Sequence, residues 1–297
     1  SSNGYDPAVQ DSSNDADADG LSGTQEFSNG TGGASADSDR DGISDGTEVD
    51  WSRDPTRPDY SVSVGWQSVC ALSDAGVTCW GGVWGADEWE ADIDDLSNPV
   101  SVNVGERHAC ALDDSGVVCW GENSGSVPVP VYGRTDVPPL INPTGVVAGR
   151  YHNCAIHQQG ELACWGDNID YETWQIGGQT DVLANLTHVT SVSLGGRHSC
   201  AIDRQTLYCW GVNDWGQSDV PSLTNPVMVS AGENHTCALD DTGIICWGYN
   251  GSGQTDVPTL SNPISVSAGS HNTCALSDAG VSCWGGSGGV NDVPNLS

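Results

Sequence analysis

Short runs of alternating apolar and polar residues recur six times along most of the chain. The clearest copies read VSAGENHTCALDDTGIICWGYNGSGQTDVPTLSNP from Val229 and VSAGSHNTCALSDAGVSCWGGSGGVNDVPNLS from Val266. Each run is rich in Val, Ile and Cys and is bounded by Gly, Asn-Pro or Asp-Val-Pro, which predicts short β-strands joined by tight turns. Amphipathic helical periodicity is minor, so we expect an all-β repeat protein.

Twelve cysteines divide into six pairs, one in each repeat. The two cysteines of a pair are nine positions apart in five repeats and ten apart in one. The pairs are Cys70 and Cys79, Cys110 and Cys119, Cys154 and Cys164, Cys200 and Cys209, Cys237 and Cys246, and Cys274 and Cys283. This spacing differs from the Cys-x2–4-Cys clusters of zinc sites.

In the first repeat, a two-residue loop would set Cys70 directly opposite Cys79, whereas a bulged turn at Gly76 would place them on a diagonal. We predict hairpin disulfides and an oxidising compartment.

The period of the repeat predicts its architecture. The first cysteines of successive pairs lie 40, 44, 46, 37 and 37 residues apart, and a period near 40 suits a four-stranded propeller blade. The repeat also resembles that of the regulator of chromosome condensation family, over about residues 60–297. The resemblance is carried by the pattern Gly232, His235, Thr236, Ala238, Leu239, Gly243, Trp247 and Gly248. It implies a β-propeller. For function it implies only a family that includes exchange factors, enzyme inhibitors and secreted proteins.

We predict a six-bladed propeller over residues 60–297, closed by an N-terminal strand. The last repeat stops before the Asn-Pro-x-x-Val-Ser segment that follows the other repeats, and residues 58–65 supply such a strand at the front. That strand can complete the blade begun at the C-terminus, and a closed ring leaves no exposed sheet edge.

Residues 1–59 form an acidic leader with two candidate calcium loops. Both match the template with carboxylates at positions 1, 3 and 5, Gly at 6, a backbone carbonyl at 7 and Glu at 12. The predicted ligands are Asp15, Asp17, Asp19, Leu21 and Glu26, then Asp37, Asp39, Asp41, Ile43 and Glu48. The flanks lack the paired helices of a sensor hand and resemble calcium-binding thrombospondin type 3 repeats. We expect an irregular segment that Ca²⁺ stiffens.

The charge excludes two classes of partner. Eight arginines and no lysine stand against 40 acidic residues, giving a formal net charge of -32. Phosphate backbones and anionic lipid surfaces need clustered basic side chains, so we expect neither nucleic acid binding nor docking on such lipids. No apolar run is long enough for a membrane span. We interpret Ser1 as a processed terminus.

Histidines and tryptophans at fixed places in the repeats predict structural roles. A histidine shortly precedes the first cysteine of repeats two to six, and we expect it to bond to the backbone rather than to a metal. A tryptophan follows the second cysteine of every repeat and should pack between sheets. Further aromatic residues lie in the connection between Trp-Gly and Asp-Val-Pro and should gather on one face of the ring. They are Trp84, Trp89, Tyr132, Tyr171, Trp174, Trp215 and Tyr249.

These observations favour a secreted or cell-surface binding protein without catalysis. No nucleophile elbow or phosphate-binding loop is present, and the candidate Ser, Cys and His residues are repeated structural features. Our first hypothesis is a calcium-stabilised structural or adhesive component of an extracellular surface or filament. Our second is a soluble extracellular inhibitor or receptor-like binder that uses the aromatic loops of repeats one to three. The expected partner is a protein or glycan, or the chain itself in a homo-oligomer or filament.

Overall fold

The regular secondary structure is almost entirely β within the part described by the computed structural model. That part comprises residues 18–22, 25, 28–29, 31, 44–50, 61–65, 68–73, 76–81, 96–123, 133–170, 175–286 and 293. A short helix, α1 (Asp45–Asp50), lies in the N-terminal leader and precedes twenty strands. None of the described helical segments is long and apolar enough to cross a bilayer.

Eighteen strands form six three-stranded antiparallel sheets, which we number 1 to 6 along the chain. They are β1 (Ser61–Val64), β2 (Ser68–Ser73) and β3 (Gly76–Gly81); β4 (Ser101–Val104), β5 (His108–Asp113) and β6 (Gly116–Gly121); β7 (Gly145–Ala148), β8 (His152–His157) and β9 (Glu161–Gly166); β12 (Val189–Leu194), β13 (His198–Asp203) and β14 (Thr206–Gly211); β15 (Met228–Ala231), β16 (His235–Asp240) and β17 (Gly243–Gly248); and β18 (Pro263–Ala268), β19 (Asn272–Ser277) and β20 (Gly280–Gly285). Strands β10 (Ile169–Asp170) and β11 (Gln175–Ile176) form a small hairpin after sheet 3.

The second and third strands of each sheet form a hairpin stapled by its cysteine pair. Cys70 lies directly opposite Cys79 in the register of sheet 1, with 4.1 Å between their Cα atoms. This separation matches the non-hydrogen-bonded pair, where side chains approach most closely. Gly76 has a φ of 99° at the end of the turn, a conformation that suits glycine. All six predicted pairs are disulfide-bonded in the structure.

Neighbouring sheets pack face to face, and each sheet has two different faces. We call the face turned towards the preceding sheet the front face and the other the back face. Between sheets 1 and 2, the back face contributes Cys70, Leu72 and Val77, and the front face contributes Val102, Val104, Ala109, Ala111 and Trp120. The equivalent residues fill the next three interfaces. Alternation along each strand therefore puts one apolar set on each face.

Glycines allow close approach at the inner ends of the sheets. A Cβ atom on Gly105 would lie 2.5 Å from the carbonyl oxygen of Gly149, and one on Gly195 would lie 2.5 Å from that of Gly232. A Cβ on Gly65 would likewise overlap the carbonyl oxygen of Gly105 on sheet 2, and one on Gly232 would overlap that of Gly269 on sheet 6. Because such contacts are shorter than any real Cβ contact, this position requires glycine.

The N-terminal strand pairs within its own repeat. Strand β1 is antiparallel to β2, with Val62 opposite Ala71 and Val64 opposite Val69. The described strands of sheet 6 all come from the last repeat. The expectation that residues 58–65 complete the C-terminal sheet is therefore corrected for residues 61–64. Only three residues of sequence separate β1 from β2, and such a short connection closes at a lower entropic cost than pairing between the two ends of the ring.

Candidate binding face and axial cavity

A side-chain clamp holds the base of the loop that follows Trp-Gly in sheets 2 to 5. In the loop after sheet 4, the Asn213 amide donates to Asp219 at 2.8 Å, and its Oδ1 accepts from the Ser218 backbone N–H. Asn250 and Asp256 form the same clamp after sheet 5, at 2.8 Å. Longer loops after sheets 2 and 3 are clamped by Asn123 with Asp136 and by Asn168 with Asp181. The recurring aspartate of the Asp-Val-Pro segment thus fixes loops that differ in length.

Two of the predicted partner-binding residues meet across neighbouring loops. The rings of Trp215 and Tyr249 pack edge to face, with centroids 4.8 Å apart and planes at 68°. The Trp215 backbone N–H donates to the Gln217 side chain at 2.9 Å, and the Tyr249 ring lies against Gly251, where a Cβ would overlap it. Trp215 nevertheless remains 51% exposed. A half-exposed indole that packs against a neighbouring ring suits binding, since a tryptophan side chain loses little conformational freedom on contact.

Acidic side chains lie on the same two loops as this aromatic pair. Asp214, Asp219 and Asp256 are all exposed beside it. The surface therefore offers an aromatic face within a field of negative charge, which favours a partner with cationic groups.

The structure brings together those two of the seven predicted aromatic residues. Trp84, Trp89, Tyr132, Tyr171 and Trp174 lie outside the described residues, so their gathering on this face stays a prediction. Ile176, at the end of β11, is a further exposed apolar residue in the equivalent loop of sheet 3. The prediction of this face rested on aromatic side chains and therefore did not include this isoleucine.

The inner ends of all six sheets line one axial cavity of about 430 Å³. Arg150, after the first strand of sheet 3, bonds to Glu106 on sheet 2 at 3.3 Å and to Glu233 on sheet 5. Ser270 donates to the same Glu233 carboxylate. The side chain of Arg150 therefore bridges the cavity mouth, and its charge is already matched by two carboxylates.

Tyr151 supports this bridge from the side. The Arg150 guanidinium lies 4.9 Å from the ring centroid of Tyr151, and that of Arg134 lies 5.3 Å from it. Burial raises the pKa of Tyr151 to about 12, so its hydroxyl stays protonated at neutral pH. The mouth holds its charged groups in place by pairing and stacking, which suits a structural role.

The recurring histidines connect neighbouring sheets. Nε2 of His152 lies 2.8 Å from the Ser199 hydroxyl, and Nε2 of His235 lies 2.9 Å from the Thr273 hydroxyl. His108 contacts Asn153 in the same way at 2.7 Å, and His198 contacts Thr236 at 2.8 Å. The expectation that these histidines bond to the backbone is corrected: the partner is a side chain on the next sheet.

Each of these partner side chains also donates onward to a loop carbonyl. The Ser199 hydroxyl donates to the Gln179 carbonyl at 2.7 Å, and Trp210 Nε1 donates to the same oxygen at 3.1 Å. Because the hydroxyl hydrogen is used there, the histidine Nε2 must be the donor. The same arrangement recurs at all four interfaces between sheets 2 and 6. A histidine donates to a hydroxyl or amide side chain, and this side chain and a tryptophan both donate to one loop carbonyl. The signal in the sequence was the Asn, Ser or Thr directly after the histidine position.

These four histidines are neutral at pH 7. Burial lowers the pKa of His152 and His198 to about 3 and that of His108 and His235 to about 4. Their buried rings cannot be hydrated when charged, so protonation opposes the fold. This state suits a structural hydrogen bond.

The tryptophans after the second cysteine pack between sheets in most repeats. Trp120, Trp165, Trp210 and Trp284 are buried, and Trp247 is half-buried. Trp80 on sheet 1 differs, with 53% of its surface exposed. The general expectation of packing is corrected at this position, because no preceding sheet covers it in the described structure.

The calcium prediction falls largely outside the described residues. Asp15, Asp17, Glu26, Asp37, Asp39, Asp41 and Ile43 are not among them, while Glu48 lies in α1. Of the remaining two, the Leu21 N–H donates to Asp19 Oδ1 at 2.7 Å, and the intervening Gly20 has a φ of 102°. This sharp turn fits the glycine position of a calcium loop. Across the described ranges, no cluster of three or more His, Cys, Asp or Glu residues is placed to hold a metal, so calcium binding stays a prediction.

A family profile matches three of the repeats. The profile described as Regulator of chromosome condensation (RCC1) repeat matches residues 100–125, 144–171 and 228–254. These segments fall in sheets 2, 3 and 5. No curated protein sequence matches the chain.

Solved structures share the arrangement of sheets. The entire ectodomain of the Physcomitrella patens receptor kinase CR4 is 24% identical with a TM-score of 0.57, over 79% of this chain and 63% of that one. The CRINKLY WD40 ectodomain of the Arabidopsis thaliana receptor kinase ACR4 is 20% identical with a TM-score of 0.59, over 76% and 85%. Prp20p from Saccharomyces cerevisiae is 18% identical with a TM-score of 0.61, over 76% and 71%. The fold is that of an RCC1-like β-propeller. The chain spans less than two thirds of the CR4 ectodomain, and likeness at these identities shows the propeller alone.

Proposed function

We propose that this chain is an extracellular, non-catalytic propeller that binds a protein partner through the aromatic loops. The observation that carries the proposal is the Trp215–Tyr249 pair, an exposed and rigid aromatic surface on clamped loops. Aromatic residues held on a rigid scaffold are typical of the centres of protein interfaces. The paired charges at the axial mouth leave this face as the better candidate.

Two further features support an extracellular location and a protein partner. Six disulfides persist only in oxidising compartments, and two of the similar propellers are receptor kinase ectodomains. Prp20p is described with binding properties to Gsp1p and histones, so a propeller of this kind can bind proteins. The exposed aspartates beside Trp215 favour a partner surface with arginine or lysine.

Selection from a displayed peptide library, with a glycan array in parallel, tests this proposal. We expect the selected peptides to be cationic and to bind with an affinity that falls as salt is added. Trp215→Ala should weaken binding to such a peptide at least tenfold, whereas Ile141→Ala, an exposed apolar residue away from these loops, should leave it unchanged. Selection of glycans alone, or equal binding by both variants, would contradict the proposal.

A structural component of an extracellular surface or filament is the second candidate. It is favoured by large exposed apolar side chains on sheets 1 and 6, because monomers rarely leave such faces uncovered. In this candidate, Ca²⁺ bound by the two leader loops stiffens residues 1–59 and stabilises the protein at the surface where it adheres. A soluble inhibitor or receptor-like binder corresponds to the first candidate acting as a single copy, without assembly into a filament.

A further inference from the structure

The front face of sheet 1 exposes the residues that every later sheet buries. Val62 and Val64 are 65% and 70% exposed, whereas their counterparts on sheet 2, Val102 and Val104, are 5% and 6% exposed. Trp80 is exposed on the same face, because it lies opposite Val69, which lies opposite Val64. Its counterpart Trp120 is fully buried.

The back face of sheet 6 is exposed in the complementary way. Leu276 is 40% exposed, while the matching Leu72 on sheet 1 is 2% exposed. Ser267 is exposed, whereas the matching Ser63, Ser193 and Ser230 each accept a backbone N–H from the next sheet. The three atoms nearest to a Cβ built on Gly269 belong to Asn272 of its own sheet, with no glycine of a neighbouring sheet among them.

The hydrogen bond from a histidine to a side chain on the next sheet, which joins sheets 2 to 6, has no counterpart on these two faces. At the histidine position sheet 6 has Asn272, because His271 of this repeat lies one residue earlier, and at the hydroxyl position sheet 1 has Val69. A histidine-to-hydroxyl bond therefore cannot form between them. Neither face carries a charged side chain: the strands present Val62, Val64, Val69, Ala71, Thr78 and Trp80 on one and Ser265, Ser267, Cys274, Leu276, Val281 and Cys283 on the other. An interface between them would be held by apolar contact.

We propose that the back face of sheet 6 binds the front face of sheet 1 of a second copy of this chain, head to tail. The other interfaces of the same molecule indicate the occupant, because Val102 and Val104 are covered by Cys70, Leu72 and Val77. Sheet 6 presents the equivalent Cys274, Leu276 and Val281. A second copy therefore offers to the exposed face the same kinds of side chain that cover its counterpart.

The two faces differ from each other, so the contact is heterologous. Each copy that binds through one face leaves the other face open, and such contacts form rings or open filaments. The net charge of -32 opposes association between copies, so salt that screens this charge should promote assembly. The inference deepens the second candidate function and involves neither Trp215 nor Tyr249.

Sedimentation velocity of the full chain across a range of protein and NaCl concentrations tests the proposal. We expect the mass to rise with both concentrations. Val64→Asp and Leu276→Asp should each keep the protein monomeric at concentrations at least tenfold above those at which the unmodified chain assembles. Ile176→Asp, at a site that is 79% exposed and lies outside both faces, should assemble as the unmodified chain does. Circular dichroism and the melting temperature establish that each variant is folded.

Mixing the two variants gives the sharpest result. The Val64→Asp chain keeps an intact sheet 6 face, and the Leu276→Asp chain keeps an intact sheet 1 face. A mixture should therefore form dimers and nothing larger. A mixture that stays monomeric, or an unmodified chain that is monomeric at every salt concentration because its own two faces close on each other, would overturn the proposal. Assembly that persists in Val64→Asp but is abolished by a calcium chelator would also overturn it and would assign assembly to the leader.

Discussion

Nε2 of His198 on sheet 4 lies 2.8 Å from the hydroxyl oxygen of Thr236 on sheet 5. The hydroxyl in turn donates to the Gln217 carbonyl, which also accepts from Trp247 Nε1. One fully buried hydroxyl thus connects two sheets and a loop.

Replacing Thr236 by Val should destabilise the propeller. The change leaves Nε2 of His198 buried without an acceptor, and an unsatisfied buried donor costs about 1–3 kcal/mol. Urea denaturation measures the loss. Thr206→Val is the matched control, because Thr206 is exposed at the start of β14 and valine is favourable in strands. Equal stability of the two variants would show that the bond contributes nothing.

The four buried histidines should make the protein less stable as the pH falls below about 6.5. The pKa of each is lowered to about 3 or 4 in the folded state, while unfolded histidine takes up a proton near 6.5. The unfolded state therefore binds more protons between about pH 6.5 and 4. Each histidine should reduce the free energy of unfolding by about 1.4 kcal/mol per pH unit in that range.

His235→Asn tests the contribution of one histidine. Asn272 occupies the equivalent strand position on sheet 6, so asparagine is compatible with the strand. We expect a shallower loss of stability between pH 6.5 and 4 in the variant, measured by urea denaturation at each pH. An unchanged slope would indicate that His235 does not titrate on unfolding.

Removing one disulfide should lower stability only under oxidising conditions. Cys237 and Cys246 close a loop of about ten residues, for which the chain-entropy account gives about 2–3 kcal/mol. We expect replacement of both by alanine to lower the urea midpoint without reductant. With all six bridges reduced by dithiothreitol, the variant and the unmodified protein should become nearly equal. A difference that survives reduction would instead measure packing, because Cys237 is fully buried.

Glycine substitutions should cost more stability between packed sheets than on the exposed back face of sheet 6. A Cβ on Gly232 would overlap the carbonyl of Gly269 on the next sheet, whereas one on Gly269 would meet only the side chain and backbone of Asn272. We expect Gly232→Ala to cost about 1–3 kcal/mol, as overpacking does, and Gly269→Ala to cost less. Melting temperatures provide the comparison. Gly145→Ala, with open space at its Cβ, is the control.

Calcium titration should detect two sites in the leader. Asp17→Asn and Asp39→Asn each remove one predicted ligand, so isothermal titration calorimetry should lose one site in each variant. Asp11→Asn, outside both loops, should keep both sites. If the unmodified chain does not bind calcium, the leader has no calcium-dependent role in the second candidate function. The proposal for the aromatic face does not depend on this result.

Local pattern was sufficient to predict the hairpins. The nine-residue spacing left two registers open, one with Cys70 opposite Cys79 and one with a bulged turn at Gly76 that sets them on a diagonal. The structure places the two cysteines opposite each other. The relation of His152 to Ser199 spans 47 residues and depends on how two sheets pack, so the sequence of one repeat does not reveal it. The pairing of Trp215 with Tyr249 was predicted only as a common face, since the loop clamps that bring the rings together act at the level of side chains.

The bridge made by Arg150 has a consequence for the order in which this molecule comes apart. In most repeat proteins each unit contacts only its neighbours, so unfolding can proceed from an end one unit at a time. Here Arg150 on sheet 3 is bonded to Glu233 on sheet 5, two sheets along the chain. Sheets 1 and 6 can separate from the ends without disturbing that bond. Loss of sheet 5 must break it, so sheets 3 to 5 should unfold together as one cooperative unit.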